Sequence, residues 1–177
     1  MPLELSIFPV IKMVSMFDNI IHELIIIGHV IFASLLAGLI GLEREFSGKP
    51  AGLRTNMIVG GAAALIISIG KVLIEDYSSD LQIAESLRTD PLRVIEAVVV
   101  GVSFIGAGTI LKVEDKSKVQ YLTTAAVILF SAGIGMSVAL QQYILAVGVT
   151  VFILLINVGA NYIDRWISRK QNKKGGS

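Results

Sequence analysis

The sequence contains no cysteine, and this absence removes several kinds of chemistry at once. Disulfide bonds, thiolate metal sites and thiol nucleophiles are all excluded. Histidine is scarce as well, because His22 and His29 are the only two. Their spacing puts them on one face of a helix, but a zinc site would need further ligands that no other histidine or cysteine supplies. We therefore expect a polar contact within the fold, and we assign no metal site from the sequence.

Charged residues are also few, at 16% of the 177 residues, while 54% are hydrophobic. The mean hydropathy is +0.75. A soluble domain would need more polar residues to cover its surface. The apolar residues instead form blocks of about 20, the length with which a helix crosses a bilayer. The chain is therefore an integral membrane protein whose first partner is lipid, and we expect no nucleic-acid partner.

The apolar runs between charged clusters predict an all-α integral membrane protein, a compact bundle of five transmembrane helices. The predicted spans are Leu24–Leu42, Met57–Ile74, Val94–Leu111, Leu122–Leu140 and Tyr143–Ile163. The N-terminal residues make a poor signal peptide because they have no small-residue cleavage site, so we interpret 1–23 as an interfacial segment. Residues 24–163 form the membrane domain, and 164–177 form a short basic tail.

Positive charge predicts which way the helices run across the membrane. Most of the 15 lysines and arginines fall on one side, in the loops around 44–54 and 112–118 and in the tail. The positive-inside rule puts that side in the cytoplasm. We therefore expect the N-terminus outside and the C-terminus in the cytoplasm.

Small residues recur along the predicted spans at helical spacing. Inside lipid, helices associate where small side chains let their backbones approach, so these residues predict packing faces. We interpret them as packing surface rather than as sites. The residues assigned to helix packing are Ala33, Ala37, Gly38, Gly41, Gly52, Gly101, Gly106, Gly108, Gly133 and Gly135.

The first hairpin, GLEREFSGKPAGLRT at 41–55, is the densest charged stretch between two spans. Proline and glycine in the loop predict that one helix ends after 43–45 and the next begins near 54. As anchors and a clasp across the turn, the charges would contribute up to about 1 kcal/mol. Alternatively Glu43, Arg44 and Arg54 shape a polar cavity at the cytoplasmic face, where breaking a buried pair costs about 3–5 kcal/mol. The candidate residues are Glu43, Arg44, Glu45, Arg54 and Thr55.

A second charged cluster begins the third span. Asp90 and Pro91 form a typical helix start, with a capping acceptor followed by proline in the first turn. Arg93 and Glu96 then share one face. We expect Glu96 to lie about one turn inside the membrane boundary, where an ionisable side chain usually faces the bundle interior. It is either a snorkelling partner of Arg93 or part of a proton or cation site.

Hydroxyl groups at the start of the fourth span, Thr123 and Thr124, can bond across helices, typically for about 0.6 kcal/mol each. The sequence contains no phosphate loop, nucleophile elbow or pair of catalytic carboxylates. We therefore expect a protein that is not an enzyme.

Four ordered motifs, GLEREFSGKPAGLRT, DPLRV, FIGAGTIL and LTTAA, resemble the membrane domain of the MgtC/SapB family over about Leu24 to Asn161. The sequence departs from the family pattern at Glu96, Ala97, Ser103 and Tyr121, and at VILF after the alanine pair; glycine is usual where Tyr121 stands. The resemblance implies marked residues at Gly41, Glu43, Arg44, Gly52, Leu53, Arg54, Thr55, Asp90, Arg93, Gly101, Phe104, Gly106, Ala107, Gly108, Thr124, Ala125 and Ala126.

The resemblance also implies a function. Virulence-associated members of the family look like regulators of bacterial adaptation to low magnesium and acid stress. They act in the inner membrane through partners that include the F-type ATP synthase. They carry a soluble C-terminal domain, which we expect to be lost or supplied by a partner here. We expect a homo-oligomer without a cofactor, with magnesium as the one unproven candidate, and we keep transport of a small cation, magnesium or a proton, as the alternative.

Overall fold

The computed structural model describes residues 3–78, 91–111 and 121–174, and this part of the chain is helical without a strand. Its helices are α1 (Leu3–Phe46), α2 (Leu53–Ser78), α3 (Pro91–Leu111), α4 (Leu122–Ala139) and α5 (Tyr143–Lys174). All 5 helices are long and apolar enough to cross a membrane. The predicted all-helical fold with five candidate spans is confirmed. The direction in which the termini face stays a prediction.

The helix boundaries follow the breaks seen in the sequence. α1 ends at Phe46 and α2 begins at Leu53, on either side of the loop with proline and glycine. α3 begins at Pro91, as the helix-start motif predicts. The interfacial segment at 1–23 is not set apart by a break, because α1 continues from Leu3 into the membrane-length stretch Met16–Phe46. That division of the chain stays a prediction.

The centre of the bundle is α4, which packs against each of the other four helices. Its sequence is apolar on every side, as expected of a helix surrounded by others. Ile128, Ile134 and Val138 are among the largest fully buried side chains. α3 lies at the edge, packed against α2 and α4, and only 11% of its apolar window is buried.

A seam of small residues joins α1, α2 and α4. Ala33 and Ala37 of α1 are fully buried, as their four-residue spacing predicts. A Cβ added at Gly60 would meet Ala37, and one added at Gly135 would overlap the carbonyl oxygen of Gly60. The three backbones therefore touch where only glycine or alanine fits. Gly60 belongs to this seam although it was not predicted from the sequence.

The glycines assigned to packing divide into two groups. Gly38, Gly41, Gly52, Gly106 and Gly135 all have close neighbours from another segment. Gly101, Gly108 and Gly133 have none within 4 Å of an added Cβ in the described part of the chain. Gly101 and Gly108 are exposed, and both lie on α3. Their packing role therefore stays a prediction, since no neighbour for them is found among the described residues.

Candidate functional site

The hairpin between α1 and α2 is held by a carboxylate on a helix N-terminus. The backbone N–H of Leu53, the first residue of α2, donates to Glu45 Oε2 over 3.0 Å. The first N–H groups of a helix lack partners within the helix, and the helix dipole favours a negative charge there. Gly48 turns the chain with a φ of +64°. The contact across this turn therefore includes a hydrogen bond from the backbone of α2 to the side chain of Glu45.

Arg44 turns inward from the same end of α1 and is only 4% exposed. Its Nη2 donates to Thr124 Oγ1 on α4 over 2.8 Å, which joins two helices that are 80 residues apart in sequence. Its Nε has no hydrogen-bond partner among the described residues. Arg44 and Thr124 line a cavity of about 270 Å³, together with Lys49, Tyr121 and Thr123. Of Glu43, Arg44 and Arg54, which were expected to shape a polar cavity here, Arg44 is the one that lines it.

Asn56 is a polar centre that the sequence analysis missed. Its side chain is fully buried. Nδ2 donates to the carbonyl oxygens of Ala51, at 2.5 Å, and Gly52, at 2.9 Å. Oδ1 accepts from Ser131 Oγ on α4 over 2.7 Å. An amide within an apolar span is expected to face the bundle interior, and that signal could have identified Asn56.

The remaining residues of the hairpin lie closer to its surface. Glu43 is half-buried, and its Oε1 accepts from Ser47 Oγ over 2.8 Å. Arg54 and Thr55 are exposed in the first turn of α2 and do not line the cavity. The structure therefore joins Arg44 to Thr124 and Glu45 to the start of α2. It leaves Arg54, the other arginine of the expected cavity, outside.

The charged residues of α3 lie on its outer face. Val98 and Val102 are buried and mark the side that packs on the bundle. Glu96 lies two positions from Val98, which is more than half a turn of helix, and both Glu96 and Arg93 are exposed. The expectation that Glu96 faces the interior is therefore corrected. Asp90 lies outside the described residues.

His29 makes the polar contact that we expected of the histidines. Its Nε2 lies 2.8 Å from the hydroxyl oxygen of Tyr143 on α5. The rings are tilted by 46° with centroids 5.9 Å apart. Among the described residues, no three His, Cys, Asp or Glu side chains are grouped closely enough to hold a metal ion.

Comparison with known proteins places this geometry in a family. The model of the MgtC family matches residues 30–166, which include the hairpin, the Arg44 cavity and all of α3 and α4. The chain belongs to the MgtC family.

Three relatives show how far the similarity extends. An "Uncharacterized protein" of Haemophilus influenzae is 36% identical over 152 residues, covering 86% of this chain and 62% of that protein. The Escherichia coli K12 protein named "Putative magnesium transporter YhiD" is 40% identical over 126 residues, covering 71% of this chain and 56% of that one. "Protein MgtC" of Salmonella typhimurium is 36% identical over 126 residues, covering 71% and 48%. The matched region thus spans about half to three-fifths of these relatives. No solved structure matches the chain.

Proposed function

We propose that this MgtC-family chain is a non-enzymatic regulator in the bacterial inner membrane. It acts in adaptation to low magnesium or acid stress through contacts with membrane proteins, including other copies of itself. The observation that carries the proposal is where the polar groups lie. Arg44 and Asn56 are buried and bonded across helices, whereas Glu96 of α3 faces away from the bundle.

The buried polar groups support a role other than conduction. An ion or proton pathway usually places ionisable side chains inside the bundle or around a water-filled cavity. Around the central helix of the described part, Gly60 and Gly135 instead bring two backbones into contact. The polar groups next to this seam bond to one another, as Ser131 does to Asn56. This arrangement is typical of a bundle held together by its polar groups.

The outer face of α3 supports a role in binding. A charged side chain costs about 2.5–3.5 kcal/mol at the centre of a span on insertion scales, and Glu96, nearer the end of its span, still favours a polar or protein neighbour. Gly101 and Gly108, seven positions apart, share one line along the exposed surface of α3, and among the described residues nothing lies close to them, which leaves space for a second helix. We assign this face, defined by Glu96, Gly101, Phe104 and Gly108, to contact with a second copy of the chain.

The proposal also includes the orientation of the bundle in the membrane. With the N-terminus outside and the C-terminus in the cytoplasm, the hairpin at 47–52 and the Arg44 cavity face the cytoplasm. A cytoplasmic or membrane partner, for which the family resemblance suggests the F-type ATP synthase, would meet the protein at this end.

Transport of a small cation is the alternative, and the name of the Escherichia coli relative is the observation that favours it. The cavity at the hairpin does not fit magnesium well. Mg²⁺ prefers carboxylate and other oxygen ligands, whereas the charged side chains among the described residues that line this cavity are those of Arg44 and Lys49. A transport role would therefore need a different pathway.

Ion flux into proteoliposomes separates the two functions. Purified wild type and Glu96→Gln would be compared for proton, potassium and magnesium flux, each measured separately. We expect no flux from folded, inserted protein, together with recovery of partners from native membranes and impaired growth of a deletion strain at low magnesium. Flux that Glu96→Gln abolishes would establish transport instead. Failure to recover a partner, with unchanged growth at low magnesium, would refute the regulator.

A further inference from the structure

A second polar cavity lies at the opposite end of the bundle from the α1–α2 hairpin. It has a volume of about 100 Å³ and is bounded by α1, α2 and the turn between α4 and α5. The side chains that give it polar character are those of His22, His29, Ser68, Lys71 and Gln141. None of these residues takes part in the hairpin or in the outer face of α3.

The titratable side chains among the described residues that line this cavity are all basic. Among the described residues that line it, the titratable groups are His22, His29 and Lys71, and none carries a carboxylate. Lys71 is partly buried and lies three positions before the end of the membrane-length stretch Leu53–Ile74 of α2. An ammonium group at this depth, in a cavity that two imidazoles also line, favours an anion as its neighbour.

Ser68 gives independent support for a ligand. Its side chain is 4% exposed and lines the cavity, and its Oγ has no hydrogen-bond partner among the described residues. Buried hydroxyl groups are nearly always hydrogen-bonded, so an unpartnered one beside a cavity points to a group that completes it. The ring of His29 is already positioned by its bond to Tyr143. The cavity therefore combines an ammonium, a hydroxyl and an oriented imidazole.

We propose that this cavity binds a phosphate group, with Lys71 and Ser68 as its principal ligands. Phosphate oxygens accept charge-assisted hydrogen bonds, which are about twice as strong as neutral ones. The cavity lies near the end of the apolar stretch of α2 and beside the α4–α5 turn. Lipid phosphates sit at about this level of a bilayer. The phosphate belongs either to a lipid headgroup or to free inorganic phosphate. This site does not depend on the regulatory role proposed above.

Thermal unfolding in a phosphate-free maltoside detergent tests the proposal at fixed pH. One arm titrates inorganic phosphate, and the other titrates short-chain phosphatidylglycerol. Sodium chloride at equal ionic strength and an uncharged glycolipid of equal chain length are the controls. We expect the wild type to gain thermal stability with at least one of the phosphate compounds and with neither control.

Variants identify the ligands. We expect Lys71→Met to weaken the apparent binding by at least about tenfold and Ser68→Ala to weaken it less, while Lys71→Arg binds like the wild type. Lys49→Met, which removes a lysine from the opposite end of the bundle, leaves binding unchanged. Should Lys71→Met fail to fold, Ser68→Ala and Lys71→Arg decide the matter by the same criteria.

The two titrations distinguish the possible sources of the phosphate group. Stabilisation by inorganic phosphate alone identifies a free ion as the ligand, and stabilisation by the lipid alone identifies a headgroup. Stabilisation by both supports a shared phosphate site. The proposal is overturned if neither compound stabilises the wild type, if chloride does so equally, or if Lys71→Met and Ser68→Ala bind as tightly as the wild type.

Discussion

At the scale of single residues, the neighbours Thr123 and Thr124 differ in burial and therefore in their expected contribution to stability. Both threonines begin α4 and both line the Arg44 cavity. Thr124 is 1% exposed and accepts from Arg44, whereas Thr123 is exposed. A hydrogen bond to a buried charged group contributes more to stability than one at the surface. If it is removed, the buried charge cannot form a replacement hydrogen bond with water.

We therefore expect Thr124→Val to lower the free energy of unfolding by about 1.5–3 kcal/mol, since it keeps the shape but removes the acceptor of Arg44. Thr123→Val should change it by less than about 0.5 kcal/mol. Unfolding in mixed detergent measures both. Equal losses in the two variants would contradict the assignment of the Arg44–Thr124 bond as the stabilising contact.

Tyr121 is one of the departures from the family pattern, and its backbone conformation is one that suits glycine. It precedes α4 with a φ of 68°, in the left-handed region that favours glycine. Glycine is the residue that the resemblance to the MgtC/SapB family implies at this position. The tyrosine is therefore strained where the family residue would not be, by about 1 kcal/mol.

Tyr121→Gly should accordingly raise the free energy of unfolding by about 0.5–1 kcal/mol, because glycine adopts this φ without a steric penalty. The matched control is Tyr162→Gly, at an exposed helical position with an ordinary φ, which should cost about 1 kcal/mol. Opposite signs in the two variants are the expected result. Destabilisation of both by the same amount would rule out strain at Tyr121.

At the scale of helices, two glycines of α1 show where a glycine is required for packing. A Cβ added at Gly41 would lie 2.7 Å from the carbonyl oxygen of Gly52 and 2.8 Å from Leu53 Cα. Both neighbours are backbone atoms that cannot move alone. Gly28, on the same helix, has nothing within 4 Å of an added Cβ.

We expect Gly41→Ala to destabilise the protein by about 1–3 kcal/mol, because the α1–α2 hairpin must open to admit the methyl group. Gly28→Ala should be neutral or stabilising by up to about 1 kcal/mol, since alanine is the better helix former. Thermal unfolding of the two purified variants makes the comparison. Equal stability of both would show that the hairpin adapts without cost.

The helices could be predicted well from the sequence. Which side of each helix packs against its neighbours could be predicted less well. Helix ends depend on local chemistry, such as the proline at 91, and can be seen in a short window. The Ala33–Ala37 ridge could be predicted because small residues on α1 recur on one face only. α3 has small or apolar residues on all sides, so its buried face is set by α2 and α4. The outward position of Glu96 follows from that packing. The bond of Asn56 to Ser131 depends on a partner 75 residues away.

At the scale of the whole molecule, the bundle is built around α4 and leaves α3 at its edge. The seam of α1, α2 and α4 buries small residues, while Phe104 on α3 is 81% exposed. Lipid can cover an apolar face, but it offers nothing to a carboxylate such as Glu96. The outer face of α3 is therefore where the proposed contact with a second copy can be tested.

Cysteine crosslinking provides that test, because the chain has no cysteine of its own. We expect Gly101→Cys and Gly108→Cys to form disulfide-linked dimers in native membranes, since two α3 helices meeting at these glycines bring the thiols within bonding range. Ile144→Cys on α5, where the wild-type side chain is 92% exposed, should stay monomeric and reports random collision. Adding Glu96→Leu to Gly101→Cys should reduce the yield if the carboxylate takes part. Crosslinking at 144 without crosslinking at 101 or 108 would place the contact on another face and leave Glu96 in lipid.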